Sequence, residues 1–195
     1  VRIIGSEAFR KCSKLEAIVI PKSVKTIGEI NPFVGCSCLH SIEVSLGNDT
    51  YDSRNNCNAI IETKTNILLA GCKTTNIPDS VTRIGELAFA HCIGLTSIVI
   101  PESVTEIGEC AFVGCTGLTS IVIPESVTEI GAGAFRGCTG LTSIVIPESV
   151  TRIREGAFEG CTGLTSIVIP ESVNRIDRDA FSKCSGLTSV NIPNS

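Results

Sequence analysis

The 195-residue sequence has no tryptophan, no methionine, one tyrosine and two histidines. With aromatics at 4% and hydrophobic residues at 43%, a core has to be built from Ile, Val, Leu and Cys. That composition suits stacked thin layers better than one bulky globule. His40 and His91 occupy dissimilar surroundings, and there is no G-x-S-x-G, no H-E-x-x-H and no phosphate-binding loop. Catalysis therefore has little to work with, and the chain does not read as an enzyme. A net charge of −4 without a basic cluster argues against nucleic acid as a partner. Apolar runs such as "ILLAGC" fall far short of the ~18 residues of a membrane helix, so no membrane insertion of this segment is expected. A starting Met and a charged-then-apolar leader are also missing. Opening on "VRIIGSEAF" and stopping within a repeat at "NIPNS", the chain is expected to be a piece of a longer protein.

What the sequence has instead is repetition. "LTSIVIPESV" occurs at Leu95–Val104, Leu118–Val127, Leu141–Val150 and Leu164–Val173, in steps of 23. The Ile or Val before each repeat proline marks the series: Ile20, Val44, Ile77, Ile100, Ile123, Ile146, Ile169 and Ile192. Its steps are 24 and then 33 before settling to 23, so one coil carries ten extra residues. Within the unit Leu118–Cys138, the stretch Ser120–Ile123 alternates polar and apolar like a strand with one buried face. Ile121 and Ile123 should point inward, with Ser120 and Val122 outward. Pro124 cannot donate to a ladder and ends that strand. Val127 and Ile130 bring a second extended segment back to the core, Gly131 permits a corner, and Ala134, Phe135 and Cys138 form a short helical or irregular turn. A lone coil buries too little to fold, whereas stacked coils share faces and hydrogen bonds. The expected architecture is mainly β: a right-handed solenoid of about eight coils, a single domain over 1–195, with an enlarged coil at 45–76. The seven phenylalanines should form one continuous interior column.

The pattern L-x-x-I-x-I-P…V-x-x-I-x-x-x-A-F-x-x-C resembles the BspA-like, or Treponema-type, leucine-rich repeat over nearly the whole chain. The long coil Asn48–Pro78 is also similar to one seen in gut-bacterial members. The resemblance implies a secreted or cell-surface, hence extracellular, bacterial protein engaged in adhesion, with host matrix proteins, epithelial cells or other bacteria as partners. Periodicity by itself implies only the solenoid.

The enlarged coil reads as a β-hairpin, "NAIIET" and "NILLAG" about a two-residue turn at Lys64-Thr65. In that register Ile60 meets Leu69, Ile61 meets Leu68 and Cys57 faces Cys72. An exported protein could join those two thiols as a disulfide, the alternative being two buried thiols. The hairpin either contributes to binding or plugs an edge. Cys12, Cys36, Cys92, Cys115, Cys138, Cys161 and Cys184 share one repeat position and should be buried thiols acting as small hydrophobes. "CSCLH", with Cys36, Cys38 and His40, lacks a second ligand pair, so no metal or other cofactor is expected.

The candidate binding surface is the outward side of the parallel sheet, where Ser97, Val99, Ser120, Val122, Ser143, Val145, Ser166 and Val168 line up. Contiguous exposed apolar surface marks contact sites, although valine also simply suits strands. Beside it, Glu102, Glu125, Glu148 and Glu171 make a like-charge ladder, a solvated face or a strip that steers a basic partner. The functional expectation is a non-catalytic module that binds a protein or glycan ligand through this face. The alternative is a stalk or spacer that displays another domain.

Overall fold

The computed structural model describes residues 1–193 and shows a nearly all-β solenoid of about eight coils. Its first coils supply β1 (Ile3–Ile4), β2 (Ala17–Ile20), β3 (Thr26–Ile27) and β4 (Ser41–Val44). β1 pairs parallel with β3, and β2 with β4, each strand lying on the equivalent residues of the next coil. The enlarged coil contains β5 (Tyr51–Asp52), a 3-10 turn at Arg54–Asn56, β6 (Ala59–Glu62) and β7 (Ile67–Gly71). Regular coils follow with β8 (Arg83–Ile84), β9 (Glu106–Ile107), β10 (Glu129–Ile130), β11 (Arg152–Ile153), β12 (Ser166–Val168), β13 (Arg175–Ile176) and β14 (Ser189–Asn191).

Alternation is observed where periodicity predicts it. Ile121 and Ile123 are buried, while Ser120 and Val122 are exposed. The first segment of the unit is not a full strand in every coil, however. Val99, Val122 and Val145 form single parallel bridges, and only the ends of the array develop β2, β4, β12 and β14. The amides on this side are the longer ones: Thr142 N–H reaches Thr119 O at 3.3 Å and Thr165 N–H reaches Thr142 O at 3.5 Å. On the turn edge, Phe112 donates to Ala134 O at 2.8 Å and Gly114 to Arg136 O at 2.7 Å. Coil spacing is thus set most tightly at the turns, and the first segment follows.

The turn after Ala134-Phe135 is a run of tight turns without a helix. Gly131 serves it by close approach and not by an unusual φ. A Cβ there would lie 2.5 Å from the carbonyl carbon of Gly108 in the coil below. Inside, the phenylalanines form two columns instead of one. Phe9 stacks on Phe33 at 5.5 Å, and Phe89, Phe112, Phe135, Phe158 and Phe181 stack at 5.0–5.5 Å. Between them lies the enlarged coil, which has no Ala-Phe turn.

The hairpin fills that break as a buried layer. β5, β6 and β7 pair antiparallel, and β7 pairs parallel with β8, so the hairpin continues the second-segment sheet through β10. Ile61 and Leu68 face the C-terminal core, whereas Ile60 and Ala70 face the N-terminal one, all four fully buried. Its turn spans Thr63–Asn66, longer than two residues, with Asn66 at φ +59. A register shift between Ile60 and Ile61 sets Ile60 opposite Ala70 and not Leu69, while Ile61 does meet Leu68. Gly71 has to be glycine, since a Cβ would sit 2.1 Å from Phe89 Cε1.

Candidate functional site

The unit's first segment projects one Ser and one Val per coil to solvent, and the parallel stacking puts like on like. Ser97, Ser120, Ser143 and Ser166 are exposed, and none of their hydroxyls is taken up by a protein group among the described residues. Val99, Val122, Val145 and Val168 are 78%, 75%, 74% and 65% exposed. At ~4.8 Å per coil, the valine stripe runs roughly 14 Å between its outer strands. All eight residues therefore stand on one face. Toward the N-terminus the stripe stops, because β4 carries Glu43 at the Val position and the coil of Ile77 carries Asn76. At the C-terminal end Asn191 takes the Val position, paired with Val168. A shallow groove of about 290 Å3 follows the stripe, walled by Val145, Val168, Glu125 and Glu148.

Two ladders of charge flank this face and differ in kind. Glu102, Glu125, Glu148 and Glu171 are exposed and have no ion-pair partner among the described residues. Several of the other repeated charges are paired, most of them between coils and Arg175 within its own coil. Arg83 meets Glu106 at 2.9 Å, Arg154 pairs with Glu129, and Arg152 and Arg175 both reach Asp177 at 2.6 Å. Hydrogen bonding from Arg152 holds the Asp177 carboxyl below its usual range, and Lys183 does the same for Glu159. Two members of the unpaired row, Glu125 and Glu148, thus form an anionic rim of the groove.

The buried thiols of the repeat contribute packing. Cys115, Cys138, Cys161 and Cys184 are buried, and each donates its S–H to the Phe carbonyl of the preceding coil at 3.0–3.2 Å. Burial pushes the Cys92 and Cys161 thiols up to about 12, so they stay protonated. Cys12, in the first coil, is exposed. Cys57 and Cys72 are free thiols in different core clusters. The one-residue shift in the hairpin takes them out of opposition, and Cys72 Sγ donates to Asn58 O instead. Among the described residues no group of three or more His, Cys, Asp or Glu could hold a metal ion, and Cys36 is committed to Phe9 O.

One feature was not foreseen in the sequence. Ser41 and Glu43 of β4, together with residues of the arm 45–58, line an open groove of about 720 Å3. The signals for it were the ten extra residues and the asparagine run Asn55, Asn56 and Asn58.

A stack of near-identical coils that displays a regular outer face and holds its polar chemistry in ladders is a repeat scaffold for binding. The model of the BspA-type leucine-rich repeat region matches residues 1–77 and 68–188, in six copies. The chain belongs to this family, whose solenoids are generally non-catalytic scaffolds. A leucine-rich cell surface protein from Faecalibacterium prausnitzii has a similar structure, at TM-score 0.86 and 35% identity, covering 100% of this chain and 52% of that one. A leucine-rich repeat protein from Eubacterium ventriosum matches at TM-score 0.85 and 30% identity, covering 99% and 52%. The pneumococcal vaccine antigen PcpA matches at TM-score 0.71 and 25% identity, covering 100% and 43%. The chain spans about half the length of the first two. No curated protein matches the sequence. The fold is that of bacterial surface proteins, and no helix among the described residues is long and apolar enough to cross a membrane.

Proposed function

We propose that this solenoid acts outside the cell as an adhesin-type module, gripping a matrix or cell-surface protein or glycan through its Ser/Val face. The observation that carries the reading is the stripe of four valines, each at least 65% exposed, on a rigid scaffold. Exposed valines in one contiguous line are what a partner's apolar strip would cover. The unpaired glutamates alongside favour a partner with basic residues at the rim of that strip, because charge complementarity speeds encounter. The sequence similarity to a leucine-rich cell surface protein supports the location.

The test is a screen of the purified protein against immobilised fibronectin, laminin, collagen and epithelial surface glycans, followed by Val122→Arg and Val145→Arg. For the ligand found, affinity should fall by at least about tenfold with each variant, and the wild-type on-rate should fall as salt rises. Undiminished binding by a folded double variant would remove this face from consideration. The near-identity of the regular coils supports a second reading, a spacer, which needs length and no contact. A screen without any ligand would favour it.

A further inference from the structure

We propose that the groove lined by β4 and the arm 45–58 is a separate binding site for a neutral, hydroxyl-rich saccharide. Its volume, about 720 Å3, lies within the usual range for small-ligand clefts. The walls are held in place before any ligand arrives. Asn48 Nδ2 donates to Pro21 O and Val24 O, while its Oδ1 accepts from the Thr50 and Tyr51 amides. Tyr51 Oη accepts from Ile27 N–H at 2.9 Å, and Ser53 Oγ accepts from Val44 N–H at 2.9 Å. Such pre-organisation reduces the ordering cost of binding.

The groups left free in this rigid groove determine the ligand chemistry. The side chains of Ser41, Glu43, Asn55, Asn56 and Asn58 line it, and none has a protein partner among the described residues. Carboxamides donate and accept, a carboxylate only accepts, and a sugar hydroxyl does both, so the sets are complementary. Asn55, Asn56 and Asn58 have φ of 59, 52 and 53. Glycine would adopt that backbone at less cost, and asparagine adds a polar side chain that the fold does not use. Leu46, 98% exposed at the lip, offers an apolar edge to the C–H face of a ring.

Other ligand classes fit less well. The only cation in the lining is Arg54, and its guanidinium is consumed by Asp52, Asn66 and Ser80. An anionic sugar would therefore meet Glu43 without a counter-charge. Among the described residues the lining holds no set of metal ligands. Strand addition by a peptide is opposed because the Val44 amide is already capped by Ser53.

This inference is independent of the Ser/Val reading, since the two sites share no residue. The test is a glycan array, followed by saturation-transfer NMR and titration with hits among neutral probes (mannobiose, cellobiose, lactose, N-acetyllactosamine) and anionic ones (sialyllactose, heparin tetrasaccharide). A neutral saccharide is expected to bind, with Glu43→Gln and Asn56→Gly each weakening it roughly tenfold at unchanged melting temperature. Glycine preserves the left-handed backbone at position 56, so a loss there reports the side chain. Val122→Arg with Val145→Arg should leave saccharide binding intact. The proposal is overturned if no neutral saccharide binds, if only anionic ones do, or if neutral binding survives both groove variants. Neutral binding abolished by the valine variants alone would overturn it as well and would transfer the ligand to the sheet face.

Discussion

The regular stack from Phe89 to Phe181 and the junction that joins it to the first coils solve the same problem by different means. In the stack every coil has the same turn, so each peptide group finds its partner one layer away. Phe112 N–H donates to Ala134 O, Phe135 N–H to Ala157 O, and the pattern repeats. At the junction the enlarged coil lacks that turn; Gly35 N–H still donates to Ala90 O and Gly71 N–H to Ala88 O, and a side chain supplies what those two bonds leave open. Asn31, 4% exposed, accepts from Phe33 N–H with its Oδ1 at 2.8 Å. Its Nδ2 donates to Leu87 O and Ala88 O at 3.0 Å, so one carboxamide occupies the place of the missing layer. A cavity of only about 10 Å3 remains where the phenylalanine column is interrupted, beside Phe33, Gly71 and Phe89. Repetition makes backbone satisfaction automatic, and an interruption has to be bridged residue by residue.

That contrast can be broken from either side. Phe135→Ala, between two stacked rings, should cost about 3–5 kcal/mol in urea denaturation. Phe33→Ala should cost about 1 kcal/mol less, because Phe33 has one stacked ring and borders the cavity. Equal losses would mean that the column contributes nothing beyond burial. Gly71→Ala should cost about 2–3 kcal/mol through its collision with Phe89. A double-mutant cycle with Phe89→Leu should recover part of that loss, and strict additivity would refute the collision. Asn31→Ala should cost about 2 kcal/mol by leaving buried amide groups unpaired, with faster hydrogen exchange at Phe33. Retained protection there would show that another group bridges the gap.

The thiols extend the comparison to pH. A folded-state pKa raised above the unfolded one adds stability below the unfolded value and loses it as pH rises toward the folded value. For Cys161, raised to about 12 by burial, the loss should begin above roughly pH 8.5 and reach about 1 kcal/mol by about pH 9.5. Cys161→Ala should remove that component of the alkaline loss, and an unchanged pH profile would refute it. The exposed Cys12 should react with a thiol reagent at pH 8 while Cys161 waits for unfolding. The smallest effect belongs to the outer face. Val122→Arg should change stability by no more than about 0.5 kcal/mol, since that side chain is 75% exposed.

Much of this was legible in the residues. The 23-residue period implied the coil, and alternation at Ser120–Ile123 identified which side of it faces solvent. The Ser/Val positions could be placed on a common face because parallel stacking puts equivalent residues over one another. Local signals failed at the enlarged coil. The apolar residues of "NAIIET" and "NILLAG" predicted a hairpin, but not the shift beside Ile60 that separates Cys57 from Cys72. Nor did they show that both sides of the hairpin would be buried. That depends on two cores meeting there, a long-range circumstance absent from any local window.

For this protein, the amino-acid string alone determined the repeating layer and its inward and outward sides. These follow from periodicity, and periodicity is local. Only the tertiary structure decided how the array continues past its one irregular coil, which carboxamides replace missing peptide groups, and where a polar groove opens. Those outcomes depend on residues from different coils meeting in space, with buried polar groups requiring partners that sequence spacing does not name.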